Sequence, residues 1–125
     1  MEERLINFAV RIVRLARSLP ENAPGRYLAQ QVLRAGTSPA PRYSTRQRAV
    51  DRSVFIQEMG VILCCLKETS IWLRMIERSE MIPKEALAAL SRECNELCRV
   101  FGASIQTARV NGQSSTQNQG FSAPG

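Results

Sequence analysis

The sequence predicts an all-α protein, an antiparallel up-down four-helix bundle, and three observations predict it. Apolar seams recur at alternating spacings of three and four residues, no strand-like alternation competes with them, and Pro- and Gly-bearing stretches divide the chain into four segments. Short connections between segments one and two and between three and four make each pair antiparallel neighbours. With 125 residues, 44% of them hydrophobic, the chain is one domain long enough to bury a core.

Segment one runs from about Glu2 to Leu19. Leu5, Phe8, Ile12, Leu15 and Leu19 form its core seam, and Arg4, Asn7, Arg11, Arg14 and Ser18 form a polar stripe with the same rhythm. Ile6, Val10 and Val13 make a second apolar stripe roughly opposite the first. A lone bundle helix needs one such stripe, so these three residues are the candidate oligomer interface, against the alternative of a generously apolar helix in a monomer. Pro20, Asn22, Pro24 and Gly25 make the first turn.

Segment two starts near Gly25 and carries Leu28, Val32 and Ala35 on one face. Pro39 and Pro41 remove backbone donors and restrict the residues before them. A break or sharp kink is therefore expected at 36–41, with a shorter helical piece resuming near Arg42. Segment three begins near Asp51 or Ser53, either of which can cap it. Its seam, Phe55, Met59, Ile62, Leu66, Thr69, Leu73 and Ile76, is the longest in the chain, and it ends near Ser79.

Segment four opens with Pro83 at its first position and Glu85 in its first turn, where a negative charge suits a helix N-terminus. Leu87, Leu90, Cys94, Leu97, Phe101, Ile105 and Ala108 are its seam, and Asn111-Gly112 is expected to stop it. Residues 1–112 are thus the bundle, and 113–125 read as a disordered polar tail.

Charge is distributed unevenly. The net +6 lies entirely within residues 1–52, which carry ten basic and four acidic residues; residues 53–125 carry seven of each. Only Lys67 and Lys84 among the basic residues are lysines. Arg presents a rigid fork of donors that suits phosphate, although GC-rich codon usage produces the same bias. Arg34, Arg42, Arg46, Arg48 and Arg52 cluster around the Pro-rich break, and Arg11 and Arg14 line segment one. These seven are the candidate nucleic-acid-binding residues, acting on the phosphate backbone by counterion release. The bland alternative is a set of ordinary ion pairs and a solvated face. Tyr43 is the only aromatic residue in the basic stretch, so a base-stacking platform is not expected from sequence.

Catalysis finds little support. The chain has no histidine, its Ser and Cys residues lack a visible base, and the Glu-x-x-His of carboxylate-bridged metal sites is absent. Neither cofactor nor metal is expected. Cys64, Cys65, Cys94 and Cys98 read as small buried hydrophobes rather than disulfides or zinc ligands. Glu68 is expected to partner an Arg, with Arg34 the candidate. The N-terminal MEERLINFAVRIVRL is interrupted by charge and resembles no signal peptide, and no apolar run reaches membrane-spanning length, so cytoplasm is the expected location.

The central stretch RAGTSPAPRYSTRQRAVDRSVFIQEMGVILCCLKETSIWLRMI resembles the bacterial "four helix bundle protein" family, encoded by intervening sequences in large-subunit ribosomal RNA genes. Arg34, Gly36, Thr37, Ser38, Tyr43, Ala49, Phe55, Ile56, Glu68, Thr69, Trp72 and Leu73 match its pattern, and the resemblance covers about residues 3–110. Pro39, Pro41, Arg42, Thr45 and Cys65 depart from it and make this copy more basic than a typical member. The resemblance implies a homopentamer of four-helix protomers. A related branch is the accessory variability determinant of diversity-generating retroelements, a basic pentamer that partners a reverse transcriptase and binds nucleic acid.

The expected function is therefore a non-catalytic, basic, oligomeric accessory protein that binds RNA or DNA backbone without strong sequence specificity, with a reverse transcriptase as a candidate partner. The alternative is an oligomeric protein-interaction scaffold that binds no nucleic acid. Membrane attachment is not expected, because the outer face of segment one lacks a Trp- or Phe-rich surface.

Overall fold

A computed structural model describes residues 1–46 and 51–122, with side chains as far as Gly112. Five helices follow one another: α1 (Glu2–Ser18), α2 (Ala23–Thr37), α3 (Pro39–Thr45), α4 (Arg52–Arg78) and α5 (Lys84–Ser122). Among the described residues there is no strand. The four long helices pack as a bundle, α1 on α2 and α4 on α5, with α2 also against α4 and short α3 wedged against α1 and α4.

The seams read from periodicity are the core. Leu5, Phe8, Ile12, Leu15 and Leu19 are buried, as are Met59, Ile62, Leu66, Leu73 and Ile76 of α4 and Leu87, Leu90, Cys94, Leu97, Phe101 and Ile105 of α5. They form a single cluster with Leu28 and Val32 of α2. Each large side chain fully buried in it contributes about 1.5–3 kcal/mol of transfer free energy. Phe55 and Ala108, at the ends of two seams, are only half-buried. Thr69 is the polar member of the core, and its hydroxyl donates to the Cys65 carbonyl at 2.7 Å, so no donor is left bare.

Helix ends follow capping chemistry. Asn22 accepts from the Gly25 amide at 2.9 Å, which starts α2 two residues before the expected Gly25 and places Pro24 in the first turn. Of the two candidate caps for α4, Asp51 serves: its carboxylate accepts from the Val54 amide at 3.0 Å and the Ser53 hydroxyl at 2.8 Å. These bonds favour the charged carboxylate and hold the Asp51 pKa below its usual value, the Val54 amide foremost. The turn after α4 passes through Glu80, whose φ of 56° is left-handed.

Two expectations change. The short helix does not resume near Arg42; it starts at Pro39, directly after Ser38, which itself keeps right-handed helical angles. Proline blocks a helix interior but fits a first turn, so Pro39 and Pro41 begin a helix instead of holding the chain open. The hydroxyls of Thr37 and Ser38 donate to the Leu33 and Arg34 carbonyls, each at 2.6 Å, satisfying oxygens at the end of α2.

The second change is at Asn111-Gly112, where α5 does not stop but continues as backbone helix to Ser122. No glycine among the described residues has a positive φ, so Gly112 adopts no left-handed cap. Pro83, expected as the first helical residue, directly precedes α5, and its carbonyl accepts from the Ala86 amide at 3.0 Å.

Candidate nucleic-acid interface

The candidate arginines fall into three groups. The first is spent within the fold. Arg34, exposed on α2, donates to Glu68 in a short ion pair and to Gln31 Oε1 at 3.1 Å. The second Glu68 partner is the Trp72 indole N–H at 2.9 Å, and Trp72 meets Tyr27 edge-on at 6.1 Å. The Arg34 guanidinium, and then the indole, hold the Glu68 carboxyl below its usual pKa. Arg34, Glu68 and Trp72 thus tie α2 to α4, so three of the residues shared with the family pattern form a structural network.

The second group lies along α1. Arg14 is exposed. Arg11, half-buried, adds its field to that of Arg4 on Glu93 of α5. Arg4, which the sequence placed in the polar stripe without a role, makes a two-bond fork with Glu93 at 2.8 and 2.9 Å, 89 residues away in the chain. No sequence signal pairs residues so far apart.

The third group surrounds α3 and the start of α4. Arg42 is exposed, and Arg52, the first residue of α4, is exposed with its stem beside Gly112 of α5. Arg46 donates to the Tyr43 carbonyl at 2.7 Å, and its guanidinium carbon stands 3.9 Å over the Tyr43 ring, a cation–π contact. Arg42, Arg46 and Arg52 form no ion pair among the described residues, whereas Arg4, Arg34 and Arg99 each hold a glutamate. Arg48 lies outside the described residues.

Two pockets meet at Arg46. One, of about 240 Å³, is lined by Arg42, Thr45, Arg46, Glu58 and Val61. Glu58 lines this pocket, and its Oε2 is buried with no hydrogen-bond partner among the described residues. The other, of about 120 Å³, is lined chiefly by Tyr43, Arg46, Phe55, Met59, Phe101 and Ser104. Tyr43 and Phe101 meet edge to face, 6.0 Å between centroids and 89° between planes. Tyr43, alone in the basic stretch by sequence, is therefore joined by Phe55 from α4 and Phe101 from α5. Phe101 is 2% exposed and Arg46 lies over the Tyr43 ring, so these rings pack against one another and against Arg46.

The candidate oligomer residues lie on the outside of α1. Ile6 and Val10 are 38% and 41% exposed, and Val13 is half-buried. Val13 continues into an open groove between α1 and α2 of about 720 Å³, which Ala16, Arg17, Tyr27 and Leu33 also line. A further exposed apolar set, Val61, Ile71 and Met75, runs along α4.

The cysteines divide. Cys94 is buried and donates to the Leu66 carbonyl at 3.3 Å, whereas Cys65 and Cys98 are half-buried and Cys64 is exposed, so the buried-hydrophobe reading describes Cys94 alone. The neighbouring Cys94 thiol, helped by Lys67, lowers Cys98 to about 7, while Cys98 and burial raise Cys94. Among the described residues no cluster of three or more metal-ligating side chains occurs, and no helix is long and apolar enough to cross a membrane.

No family model matches the chain, and no curated protein matches it significantly. Among solved structures, the chain is similar to the crystal structure of a protein of unknown function from the S23 ribosomal protein family of Bacteroides thetaiotaomicron. The TM-score is 0.75 and the identity 28%, over 83% of this chain and 96% of that one.

Proposed function

We propose that this chain is a non-catalytic nucleic-acid-binding accessory protein of the cytoplasm, an antiparallel four-helix bundle that works as a homo-oligomer. The observation that carries the reading is the set of arginines around α3: Arg42, Arg46 and Arg52 hold no carboxylate among the described residues, whereas Arg4, Arg34 and Arg99 do. Guanidinium groups that hold no carboxylate among the described residues, in a +6 chain, suit a phosphate backbone. The similar protein's label, a ribosomal protein family, is in keeping with RNA. Arg34 holds Glu68, so the reading leans on Arg42, Arg46 and Arg52 instead.

Self-association rests on the exposed stripes of α1 and α4. Apolar stripes on two different helices suit a heterologous contact, and heterologous contacts that close make rings, as in the pentamer that the family resemblance implies. A reverse transcriptase is the sharpest protein partner that resemblance offers. The competing reading, a scaffold without nucleic-acid binding, draws on the same apolar stripes.

The test is fluorescence anisotropy with labelled structured RNA and duplex DNA across a salt series. Tight binding that weakens steeply with salt is expected. Replacing Arg42 and Arg46 with Gln lowers the slope of log affinity against log salt by roughly 0.7–0.9 for each phosphate the protein ceases to neutralise. No binding to either probe at low salt refutes the proposal and leaves the scaffold.

A further inference from the structure

We infer that Arg52 and Arg109 form a seat for one backbone phosphate over Gly112, which extends the phosphate-binding surface from α3 onto α5; the inference rests on the nucleic-acid reading above. A Cβ built at Gly112 would stand 2.8 Å from Arg52 Cδ, 3.5 Å from its Nη1 and 3.6 Å from its Nε. The far end of the Arg52 side chain, guanidinium included, therefore crosses from α4 to lie over α5, and the missing side chain at residue 112 makes room for it. Arg109 is exposed and stands three residues before Gly112 on the same helix. Residues three apart are neighbours on one helix face, about 5–6 Å between Cβ atoms. Two arginines from different helices thus meet at one place.

Two like charges brought together repel, and no carboxylate side chain offsets this pair. Neither Arg52 nor Arg109 makes an ion pair among the described residues, and every Asp and Glu of the sequence is among them. Asp51, next to Arg52 in the chain, is turned to the Val54 amide and the Ser53 hydroxyl. Residues 97–125 contain no Asp or Glu, so the last part of α5 brings none. An arginine fork offers parallel donors to phosphate oxygens, and two forks at one place suit a phosphodiester, the group RNA and DNA share. The seat also continues the surface at α3. Arg46 lines a pocket with Phe55, three residues on from Arg52 along α4. One helical turn is about 5.4 Å, and phosphates of one strand follow about every 3.4 Å of duplex axis. A strand held at Arg46 therefore carries its next phosphates to Arg52 and Arg109. Charge counting could not find Arg109, because residues 53–125 sum to zero.

The experiment uses the full chain, with labelled structured RNA and duplex DNA followed by fluorescence anisotropy across a salt series. The variants are Arg52→Gln, Arg109→Gln and the two combined. Arg78→Gln is the control: it removes the same charge at the far end of α4, about 39 Å of helix from Arg52. The double variant is expected to lower the slope of log affinity against log salt by roughly 0.7–0.9, the share of one phosphate, on both probes. Neither single variant lowers it further than the double, because both arginines hold the same phosphate. Arg78→Gln is expected to leave the slope unchanged. Circular dichroism checks that every variant remains helical.

A slope unchanged in the double variant, while Arg42→Gln with Arg46→Gln lowers it, overturns the seat and leaves backbone binding intact. A fall worth two phosphates overturns the shared seat, since each arginine then holds its own. An equal fall with Arg78→Gln marks an effect of net charge and overturns it too, as does a fall on one probe alone, because both probes carry the phosphate. Failure of the parent chain to bind either probe at low salt overturns the inference together with the function it rests on.

Discussion

Gly36 offers a sharp test of how α1 and α2 pack. A Cβ at this position would lie 2.7 Å from Ile12 Cγ1 and 2.9 Å from Cγ2. Ile12 is β-branched and completely buried, so it has one comfortable rotamer and no room to withdraw. Gly36→Ala therefore overpacks a closed core, at about 1–3 kcal/mol, against a helix-propensity gain of at most about 1 kcal/mol. With the full propensity gain subtracted, the net expectation is a loss of up to about 2 kcal/mol.

Gly60 and Gly102 supply the controls, because a Cβ at either meets nothing within 4 Å. Gly60→Ala and Gly102→Ala are each expected to stabilise by about 0.5–1 kcal/mol. Urea unfolding followed by circular dichroism, at one fixed protein concentration, measures the midpoints. The same substitution should move the midpoint down at residue 36 and up at residues 60 and 102, a separation of about 0.2–3 M for a difference of about 0.5–3 kcal/mol and an m-value near 1–3 kcal/mol/M. Combining Gly36→Ala with Ile12→Ala should be strongly non-additive, since the second change removes the atoms the first one strikes. Gly36→Ala that stabilises as the controls do refutes the close approach of α1 and α2.

Other expectations follow from the surface. Ile6→Asp and Val10→Asp place charge on the exposed stripe of α1 and should convert an oligomer to monomers in sedimentation while helicity is kept; a wild-type chain that is already monomeric refutes the oligomer proposal. The fork between Arg4 and Glu93 holds the Glu93 carboxyl below its usual pKa, the Arg4 hydrogen bonds foremost. A carboxylate with a lowered folded-state pKa adds stability above its unfolded pKa, near 4.3, and loses it as pH falls through the folded value. Glu93→Gln should therefore be less stable than the parent at pH 7 by about 1 kcal/mol or less, since Arg4 is partly solvent-screened, and equal to it once the pH has fallen below the folded-state pKa. A difference that persists in acid points to packing instead.

Periodicity and composition are enough to establish that the protein is helical, where the core stripes run and where the positive charge gathers. Leu5, Phe8, Ile12 and Leu15 are recognisable because a helix repeats its inward face every 3.6 residues, a local rule that needs no partner to be visible. The Asp51 cap is local for the same reason. At Pro39 and Pro41 the local rule found the break between α2 and α3 but set the restart three residues late, because a proline that breaks one helix is equally suited to begin the next. The stop expected at Asn111-Gly112 failed similarly, since Gly permits a left-handed cap without requiring it.

Tertiary packing settles which distant residues meet. Arg4 and Glu93 are 89 positions apart, and Arg34 and Glu68 are 34 apart. Counting charges put Arg34 with the phosphate-binding set; packing α2 on α4 gave it a carboxylate and left Arg42 and Arg46 without one among the described residues. Tyr43, Phe55 and Phe101 come from three helices and share no sequence period, so their common pocket has no signature in the chain. Helix periodicity is written along one dimension, whereas a site is made by the packing of several helices, and the free energy that selects that packing belongs to all of the contacts at once.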